Sequence, residues 1–200
     1  SLGAKVLQIR SVEFASKYQM PLRVLSSFNK SGGTLITKED NSLESAVISG
    51  ITCSNDDSKI ILRNVPDTPG IAAKILSPIS EAGIDVDVIV QNVGSDKSTD
   101  FTFTVKNDLS EKAAKILKDL TEGFGGGEVE LVKDVSKVSV VGVGMKSHAG
   151  VAAQMFGALA NKKINIDMIS TSEIKISVVV AKDKAEEAVI ALHDEFELDK

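Results

Sequence analysis

The sequence has few aromatic residues and almost no cysteine. None of its 200 residues is Trp, one is Tyr and 4% are aromatic, so any core must be built mainly from aliphatic side chains. The single Cys53 excludes an internal disulfide and a zinc site made of cysteines. No apolar run approaches the roughly 18 residues that span a membrane, and no signal-peptide pattern opens the chain. These absences favour a cytoplasmic protein with no membrane contact.

Histidine is also scarce, and acidic residues outnumber basic ones. The 23 Lys and Arg against 28 Asp and Glu give a formal net charge of −5, which argues against nucleic-acid binding. His148 and His193 are far apart in sequence, and no nucleophile–base–acid set can be assembled. Gly142-Val143-Gly144 is followed by Ser147 where a dinucleotide fingerprint needs Gly or Ala, and Lys146 lacks the Gly that precedes it in a phosphate loop. We expect no catalytic residue, metal site or cofactor in this chain.

An internal repeat is the strongest positive signal. Gly70-Ile71-Ala72-Ala73 returns as Gly150-Val151-Ala152-Ala153, and residues 84–89 return as residues 164–169 at the same offset. Over residues 70–90 and 150–170, 6 of 21 positions are identical. A repeat of this length is one structural unit used twice, and paired units often form a site between them.

Each copy predicts alternating strands and helices. The first copy gives strands at 59–63, 84–90, 101–105 and 128–132, with helices from about 70 to 82 and over 110–120. Asp67 or Thr68 should cap the first of these helices, since Pro69 stands near its first turn. The order is therefore βαββαβ.

The second copy stops before its last strand. It gives a strand at 137–141, a helix at 147–161, strands at 164–172 and 174–181, and a helix at 184–196. A spare strand at 46–53 precedes the first copy, and an open sheet edge is a liability. We predict one unit at 58–134 inserted into a second unit made of 46–54 plus 135–200.

Residues 1–40 do not belong to the repeat. Residues 4–18 predict an amphipathic helix, and residues 22–27 predict a buried strand. A single helix and strand cannot cover their own apolar surface, so this segment is expected to be the tail of a larger α/β domain.

Two aligned loops are candidates for ligand binding. Asp67 falls opposite Ser147, and each loop leads into a helix N-terminus, which favours an anion such as the carboxylate of a free amino acid. Asp67, Gln91, Asn92 and Asn165 could accept hydrogen bonds from its ammonium group. The alternative is structural: Asp67 and Ser147 are also ordinary N-cap residues, and Gln91-Asn92 could begin a turn.

Several longer stretches of the sequence are specific enough to indicate a family. The first copy contributes Val65-Pro66-Asp67-Thr68-Pro69-Gly70, Ile89-Val90-Gln91-Asn92-Val93 and Thr99-Asp100-Phe101-Thr102-Phe103-Thr104. The second contributes Gly142-Val143-Gly144-Met145-Lys146-Ser147-His148-Ala149-Gly150-Val151 and Ile169-Ser170-Thr171-Ser172-Glu173-Ile174. These stretches resemble the regulatory half of the aspartate kinases. The opening segment, from Lys5 to Ile36, resembles the last helix and strand of that family's kinase domain.

The resemblance implies an α+β fold of two ferredoxin-like βαββαβ ACT domains, the first inserted in the second, after a short tail of the α/β kinase domain. It implies lysine or threonine as effectors, bound where ACT domains pair, and feedback inhibition of aspartate phosphorylation. It also implies a homodimer through the ACT domains and a catalytic domain or subunit that holds ATP and magnesium. The ATP loop and the aspartate site are not in these residues, so a regulatory subunit or a fragment is expected.

By that resemblance two effector sites are expected. The first would use Asp67, Thr68, Pro69, Gly70, Ile71, Gln91 and Asn92, facing Asn165 and Ile169. The second would use Met145, Lys146, Ser147, His148, Ala149, Gly150 and Val151 with Ser170, Thr171, Ser172 and Glu173.

Two other classes share parts of this pattern. An ACT-type sensor of another biosynthetic enzyme would have the same fold but should lack the kinase-like opening segment. A ferredoxin-like RNA-binding module would need exposed aromatic residues on its sheet and a basic face. Phe101 and Phe103 alternate with Thr as core-facing residues would, and the net charge has the wrong sign for RNA.

Overall fold

The structure is a computed structural model that describes residues 6–28, 32–36, 48–94, 98–123, 127–142, 145 and 150–199. Its helices and strands are α1 (Ile9–Lys17), β1 (Leu22–Val24), β2 (Thr34–Ile36), β3 (Ile48–Pro66), α2 (Ile71–Glu81), β4 (Ile89–Val93), β5 (Ser98–Lys106), α3 (Ser110–Gly123), β6 (Glu128–Gly142), α4 (Val151–Asn161), β7 (Met168–Thr171), β8 (Lys175–Ala181) and α5 (Ala185–Glu195). Short 3-10 turns precede α3 and α5.

One antiparallel sheet of six strands carries both repeats. Its strand order is β4-β5-β3-β6-β8-β7, with the long strands β3 and β6 at its centre. Residues 48–54 of β3 pair with residues 137–142 of β6, which open the second repeat. Residues 57–63 of β3 pair with residues 128–135 of β6, which close the first repeat. Each long strand therefore serves both units, and the expected fold, with one unit threaded through the other, is confirmed.

The predicted strand at 46–53 is described from Ile48 onward, and it pairs with the second unit as expected. Its separation from the strand at 59–63 is wrong, because both belong to β3. The separation of 128–132 from 137–141 is wrong in the same way, because both belong to β6. The exact domain limits stay a prediction.

The polar stretch between the two halves of β3 explains this error. Residues 55–58 are all polar and look like a turn, yet the strand continues through them with two register shifts. The side chains of Asn55, Asp57 and Ser58 have partners on neighbouring strands and turns. Lys106 Nζ donates to Asp57 Oδ1 at 2.7 Å, and Ser58 Oγ donates to Asn107 Oδ1 at 2.5 Å. These contacts let polar residues occupy a buried strand.

The strands that follow the first helix of each unit are shorter than predicted. The alternating run at 84–90 becomes a strand only at Ile89, and the run at 164–172 is a strand only over Met168–Thr171. Ahead of β4 the chain is tied to β5 by isolated bonds, such as Asp87 N–H to Thr104 O at 3.1 Å. More buried and more exposed residues still alternate over residues 84–88, although no continuous ladder of strand hydrogen bonds forms there.

Both repeat-related helices begin directly after a glycine. Gly70 is the N-cap of α2 with φ of +90°, and Gly150 is the N-cap of α4 with φ of +111°. Neither helix has a side-chain cap, so the predicted capping of α2 by Asp67 or Thr68 is wrong. A left-handed glycine turns the chain into the helix instead. Residues 147–149 of the predicted second helix lie outside the described residues.

This geometry predicts opposite effects for two Gly-to-Ala changes. Gly70→Ala forces an L side chain into the left-handed region and should destabilise the protein by about 1–2 kcal/mol, although no atom lies within 4 Å of the added carbon. Gly157→Ala, inside α4 and equally free of neighbours, should stabilise it by about 0.5–1 kcal/mol. Urea unfolding followed by circular dichroism measures both. Equal signs would contradict the proposed role of Gly70.

Each unit has its own apolar core on the helix-covered side of the sheet. In the first unit β3 and β5 pack Ile60, Leu62, Phe101 and Phe103 against α2 and α3. In the second unit β6 and β8 pack a mostly aliphatic set against α4 and α5: Val138, Val140, Ile176, Val178, Met155, Leu159 and Leu192. Phe101 and Phe103 are buried as predicted, which removes the exposed aromatic face that an RNA-binding module needs.

The opening segment is a short helix and a two-stranded sheet. The predicted helix at 4–18 is described as α1, and the predicted buried strand at 22–27 is the three-residue β1, which is only half-buried and pairs with β2. Large apolar side chains of this segment are exposed: Ile9, Phe14, Tyr18, Met20, Leu25 and Phe28. Two strands and one helix do not form a core that could cover them.

Candidate functional site

The predicted first site begins with the loop between β3 and α2. Residues 67–70 are exposed and form a tight turn, with Thr68 N–H donating to Pro66 O at 3.0 Å. Ile71 is buried in the first core. Ser98, the first residue of β5, lies at the same end of the sheet, because it pairs with Pro66. The loop at 67–70 is therefore next to the start of β5.

The structure brings two of the predicted residues together across the two units. Asn92 of β4 and Ile169 of β7 line one cleft of about 350 Å³, in the range of small-ligand sites. The cleft lies between the open face of the first unit and the edge of the second, and its lining residues are Lys59, Ile61, Arg63, Val90, Asn92, Asp100, Thr102, Ile166, Asp167, Met168 and Ile169. We call it the inter-unit cleft.

Other residues predicted for the first site lie apart from this cleft. Residues 67–71 and Gln91 do not line it. Asn165 is exposed beside it, and its Nδ2 donates to Asp167 Oδ1 at 3.3 Å. The predicted set thus divides into a loop cluster at the sheet end and a cleft that contains Asn92 and Ile169.

The predicted second site is only partly described. Met145 is buried in the second core, while Lys146, Ser147, His148 and Ala149 lie outside the described residues. Ser172 closes a turn by donating its N–H to Lys175 O at 2.8 Å, and Gly142 N–H donates to Ile174 O at 2.9 Å. Ser170 and Thr171 of β7, with Ser172 and Glu173, are therefore at the same end of the sheet as the end of β6.

A second, more open cleft of about 1080 Å³ lies against α4 and α5. It is lined by residues 48–51 at the start of β3, by Val151 and Gln154 of α4, and by His193 and residues 195–198 at the end of α5. Among the described residues predicted for the second site, Val151, which follows the N-cap Gly150 of α4, is the one that lines it.

Two ion pairs join the units, and the sequence analysis missed them. Lys59 of the first unit donates to Asp167 of the second at 2.7 Å, and Lys137 of the second unit pairs with Asp87 of the first. The pairs are related by the repeat, since Lys59-Ile60 corresponds to Lys137-Val138 and Asp87 to Asp167. In each pair, a lysine of one unit therefore forms an ion pair with an aspartate of the other unit. The repetition of Lys and Asp in both copies could have suggested these pairs, but only the strand order shows that each lysine faces the aspartate of the other unit.

An apolar cluster lies between these ion pairs. Val88 of the first unit and Met168 of the second, which are repeat-related, pack with Val135 and Val179. All four side chains are buried. The two units therefore meet through a small apolar centre flanked by charge, and the inter-unit cleft opens beside it.

The pKa shifts do not indicate a nucleophile. Burial, followed by the nearby charge of Asp57, raises the pKa of the Cys53 thiol, so Cys53 stays protonated and weakly nucleophilic at neutral pH. Burial disfavours the charge of Lys106, but its hydrogen bond to Asp57 and the charge of Asp57 outweigh this and raise its pKa. These groups form a structural polar cluster at the centre of β3.

Two searches of the described part of the chain gave negative results. No cluster of three or more His, Cys, Asp or Glu is placed to hold a metal ion there. None of the helices that it contains combines the length and hydropathy required to cross a bilayer.

Comparison with known proteins identifies the family. ACT domain families match residues 60–122 and residues 138–196. The aspartate kinase of Pseudomonas fluorescens is 58% identical over 200 residues, which cover 100% of this chain and 48% of that protein. The regulatory subunit of aspartate kinase from Thermus thermophilus, solved ligand-free, is 42% identical with a TM-score of 0.71, covering 74% of this chain and 98% of that one. This chain belongs to the aspartate kinase family and is its regulatory ACT region.

The chain spans about half the length of the curated aspartate kinases that it matches. A structure of E. coli aspartokinase III in complex with lysine and aspartate, described as the T-state, has a TM-score of 0.72 and covers 96% of this chain and 42% of that one. At 22% identity this likeness shows the shared fold alone. Together with the matches at higher identity, the shared fold makes the two units seen here ACT domains of the aspartate kinase family.

Proposed function

We propose that this region senses lysine, threonine or both and inhibits the phosphorylation of L-aspartate by the kinase to which it belongs. The observation that carries the proposal is the match over the whole chain to aspartate kinases at 58% identity. An ACT sensor of an unrelated enzyme would not account for a match that includes residues before the first ACT domain.

The effector would bind where the ACT units approach each other. The inter-unit cleft offers amide, hydroxyl, ammonium and carboxylate groups within one small volume, the mixture that a zwitterionic amino acid requires. The loop at 67–70 adds the uncapped N-terminus of α2 at the same end of the first unit. Because the loop at 67–70 and the inter-unit cleft are separate places, lysine and threonine could each bind at a different one.

Binding would act by a population shift. An effector held between units favours one relative arrangement of them, and a coupling of about 1–3 kcal/mol suffices for useful inhibition. We propose that the segment around residues 22–43 passes this arrangement to a catalytic domain or subunit, which would hold ATP and magnesium. The exposed apolar side chains of residues 9–28 would form part of that contact.

We also propose that two copies associate through their ACT domains. Residues 48–54 of β3 have β6 as their only strand neighbour in the described sheet, and so an unpaired edge is left. Such an edge is a ready site for pairing with another strand.

The effector assignment predicts a loss of affinity in Asp67→Ala. If Asp67 accepts a hydrogen bond from the effector's ammonium group, its removal should weaken binding by about tenfold or more. Stability should change by less than about 0.5 kcal/mol, because Asp67 is exposed and caps no helix. Calorimetric titration of the 200-residue chain with lysine and with threonine measures the affinity.

Asp119→Ala is the matched control, since Asp119 is an exposed carboxylate on α3 outside both clefts. Wild type and Asp119→Ala should bind alike. Unchanged affinity of Asp67→Ala for both amino acids would remove Asp67 from the site, and a wild-type chain that binds neither amino acid would overturn the proposed function.

A further inference from the structure

The two partners of the Lys59–Asp167 ion pair differ in how easily they can separate. The Lys59 side chain is 11% exposed, whereas that of Asp167 is 30% exposed. Asp167 also receives a hydrogen bond from Asn165 and can be solvated where it stands. A nearly buried ammonium group needs an anion beside it, while a half-exposed carboxylate can do without a cation. Asp167 is therefore the partner that another carboxylate can replace.

The inter-unit cleft provides the space for such a replacement. Lys59, Ile61 and Arg63 alternate along β3 and so line the same side of the cleft. Asn92 and Thr102 line it from β4 and β5, and in the described part of the chain their side chains have no hydrogen-bond partner. Asp100, 42% exposed, adds a carboxylate near the guanidinium of Arg63. Cation, amide, hydroxyl and carboxylate are thus available to one small ligand.

The repeat-related place around Lys137 is built differently. Ile61 faces Thr102 in the first unit, and the corresponding pair in the second unit is Ser139 and Ser177. Their hydroxyl groups are 2.8 Å apart, hydrogen-bonded to each other, and both residues are buried. Among the described residues, the side chains of Asn92 and Thr102 beside Lys59 thus lack hydrogen-bond partners, whereas Ser139 and Ser177 beside Lys137 bond to each other.

We propose that a free α-amino acid binds in the inter-unit cleft with its carboxylate on Lys59 in place of Asp167 and its ammonium group facing Asp100. This deepens the proposed function and rests on it: the cleft within one chain holds one amino acid, while the loop at residues 67–70, which does not line the cleft, is a separate place that Asp67→Ala tests. Binding exchanges one of the two inter-unit ion pairs and leaves Lys137–Asp87 intact. Occupancy thus loosens the units on one side only, which gives the sensor two distinct arrangements.

The test is calorimetric titration of lysine and threonine into the 200-residue chain and three variants. Lys59→Met keeps the apolar stem and removes the cation, so it should weaken binding by about tenfold or more. Asp167→Asn removes the competitor for Lys59 and should leave binding equal to or tighter than that of the wild type. Lys137→Met removes the matched inter-unit ion pair and should change the affinity by less than about threefold.

These variants separate ligand contact from mere support of the cleft. If Lys59 only holds the units together, Asp167→Asn must weaken binding as much as Lys59→Met, and that result would overturn the proposal. Equal losses in Lys59→Met and Lys137→Met would overturn it as well. Wild-type affinity in Lys59→Met would reject the cleft while leaving the regulatory function in place, and a wild-type chain that binds neither amino acid would reject both.

A measurement on the wild type covers the case in which Lys59→Met fails to fold. In a chain labelled with 13C at lysine Cε, saturation with the bound amino acid should shift the Lys59 resonance and leave that of Lys137 in place. An unmoved Lys59 resonance at saturation would overturn the proposal.

Discussion

Phe103→Ala should lower the free energy of unfolding by about 3–5 kcal/mol. Phe103 is fully buried, and its ring packs edge to face against Phe101 at 6.1 Å between centroids. Removing the ring leaves a cavity in a core that is otherwise aliphatic and cannot close over it. Urea unfolding followed by circular dichroism measures the change.

The matched control is Phe28→Ala in the opening segment. Phe28 is 99% exposed, so its truncation should change the free energy of unfolding by less than about 0.5 kcal/mol. A loss below 1 kcal/mol for Phe103→Ala would contradict the core assigned to the first ACT domain.

Val135→Asp should destabilise the chain by about 3–5 kcal/mol at pH 7, as expected for an uncompensated buried charge. Val135 is 2% exposed, packs in the apolar cluster between the units, and lies opposite Asp57 in the β3–β6 ladder. Asp57 is itself buried with one carboxylate oxygen that lacks a partner in the described structure, so a second carboxylate there is repelled.

The pH dependence of this variant has a definite sign. Burial and Asp57 should raise the folded-state pKa of the introduced carboxylate above its unfolded value of about 3.9. The penalty is present above the folded-state pKa and is relieved as the pH falls through it, so the gap to wild type should narrow between pH 7 and pH 4. Val135→Asn, of similar size without a charge, should show a smaller and nearly constant loss. A constant gap for Val135→Asp would contradict the buried position.

Local patterns in the sequence predicted most of the fold. The apolar stripes of α2 and α3 and the alternation in β5 each specify an element and its buried face. The missing last strand of the second repeat predicted the threading, because an open edge needs a partner. The opening strand was predicted to be buried because its residues are apolar, and β1 is only half-buried.

The features that sequence reasoning missed depend on long-range contacts. Residues 55–58 read as a turn, but partners on β5 and in the turn after it keep them in β3. Lys59 and Asp167 are 108 positions apart, and no local rule pairs them. Asn92 and Ile169 were expected to face each other, and both line the inter-unit cleft. That cleft also contains Lys59 and Thr102, which were not among the predicted site residues.

The repeat thus produces two units with related contacts but different surroundings. The two ion pairs occupy repeat-related positions and so follow the symmetry of the repeat. The neighbouring cross-strand pairs do not: the first unit has Ile61 opposite Thr102, whereas the second has Ser139 hydrogen-bonded to Ser177. Under the proposed function, this asymmetry would let an effector act on one side while the ion pair on the other side holds the units together.

The proposed function requires these 200 residues to regulate an aspartate kinase in response to an amino acid. The most direct measurement is the rate of ATP-dependent aspartate phosphorylation by a polypeptide or complex that contains this region, with and without lysine and threonine. The rate should fall at saturating concentrations of at least one of them. A rate that is unchanged by either amino acid, alone or together, would contradict the claim.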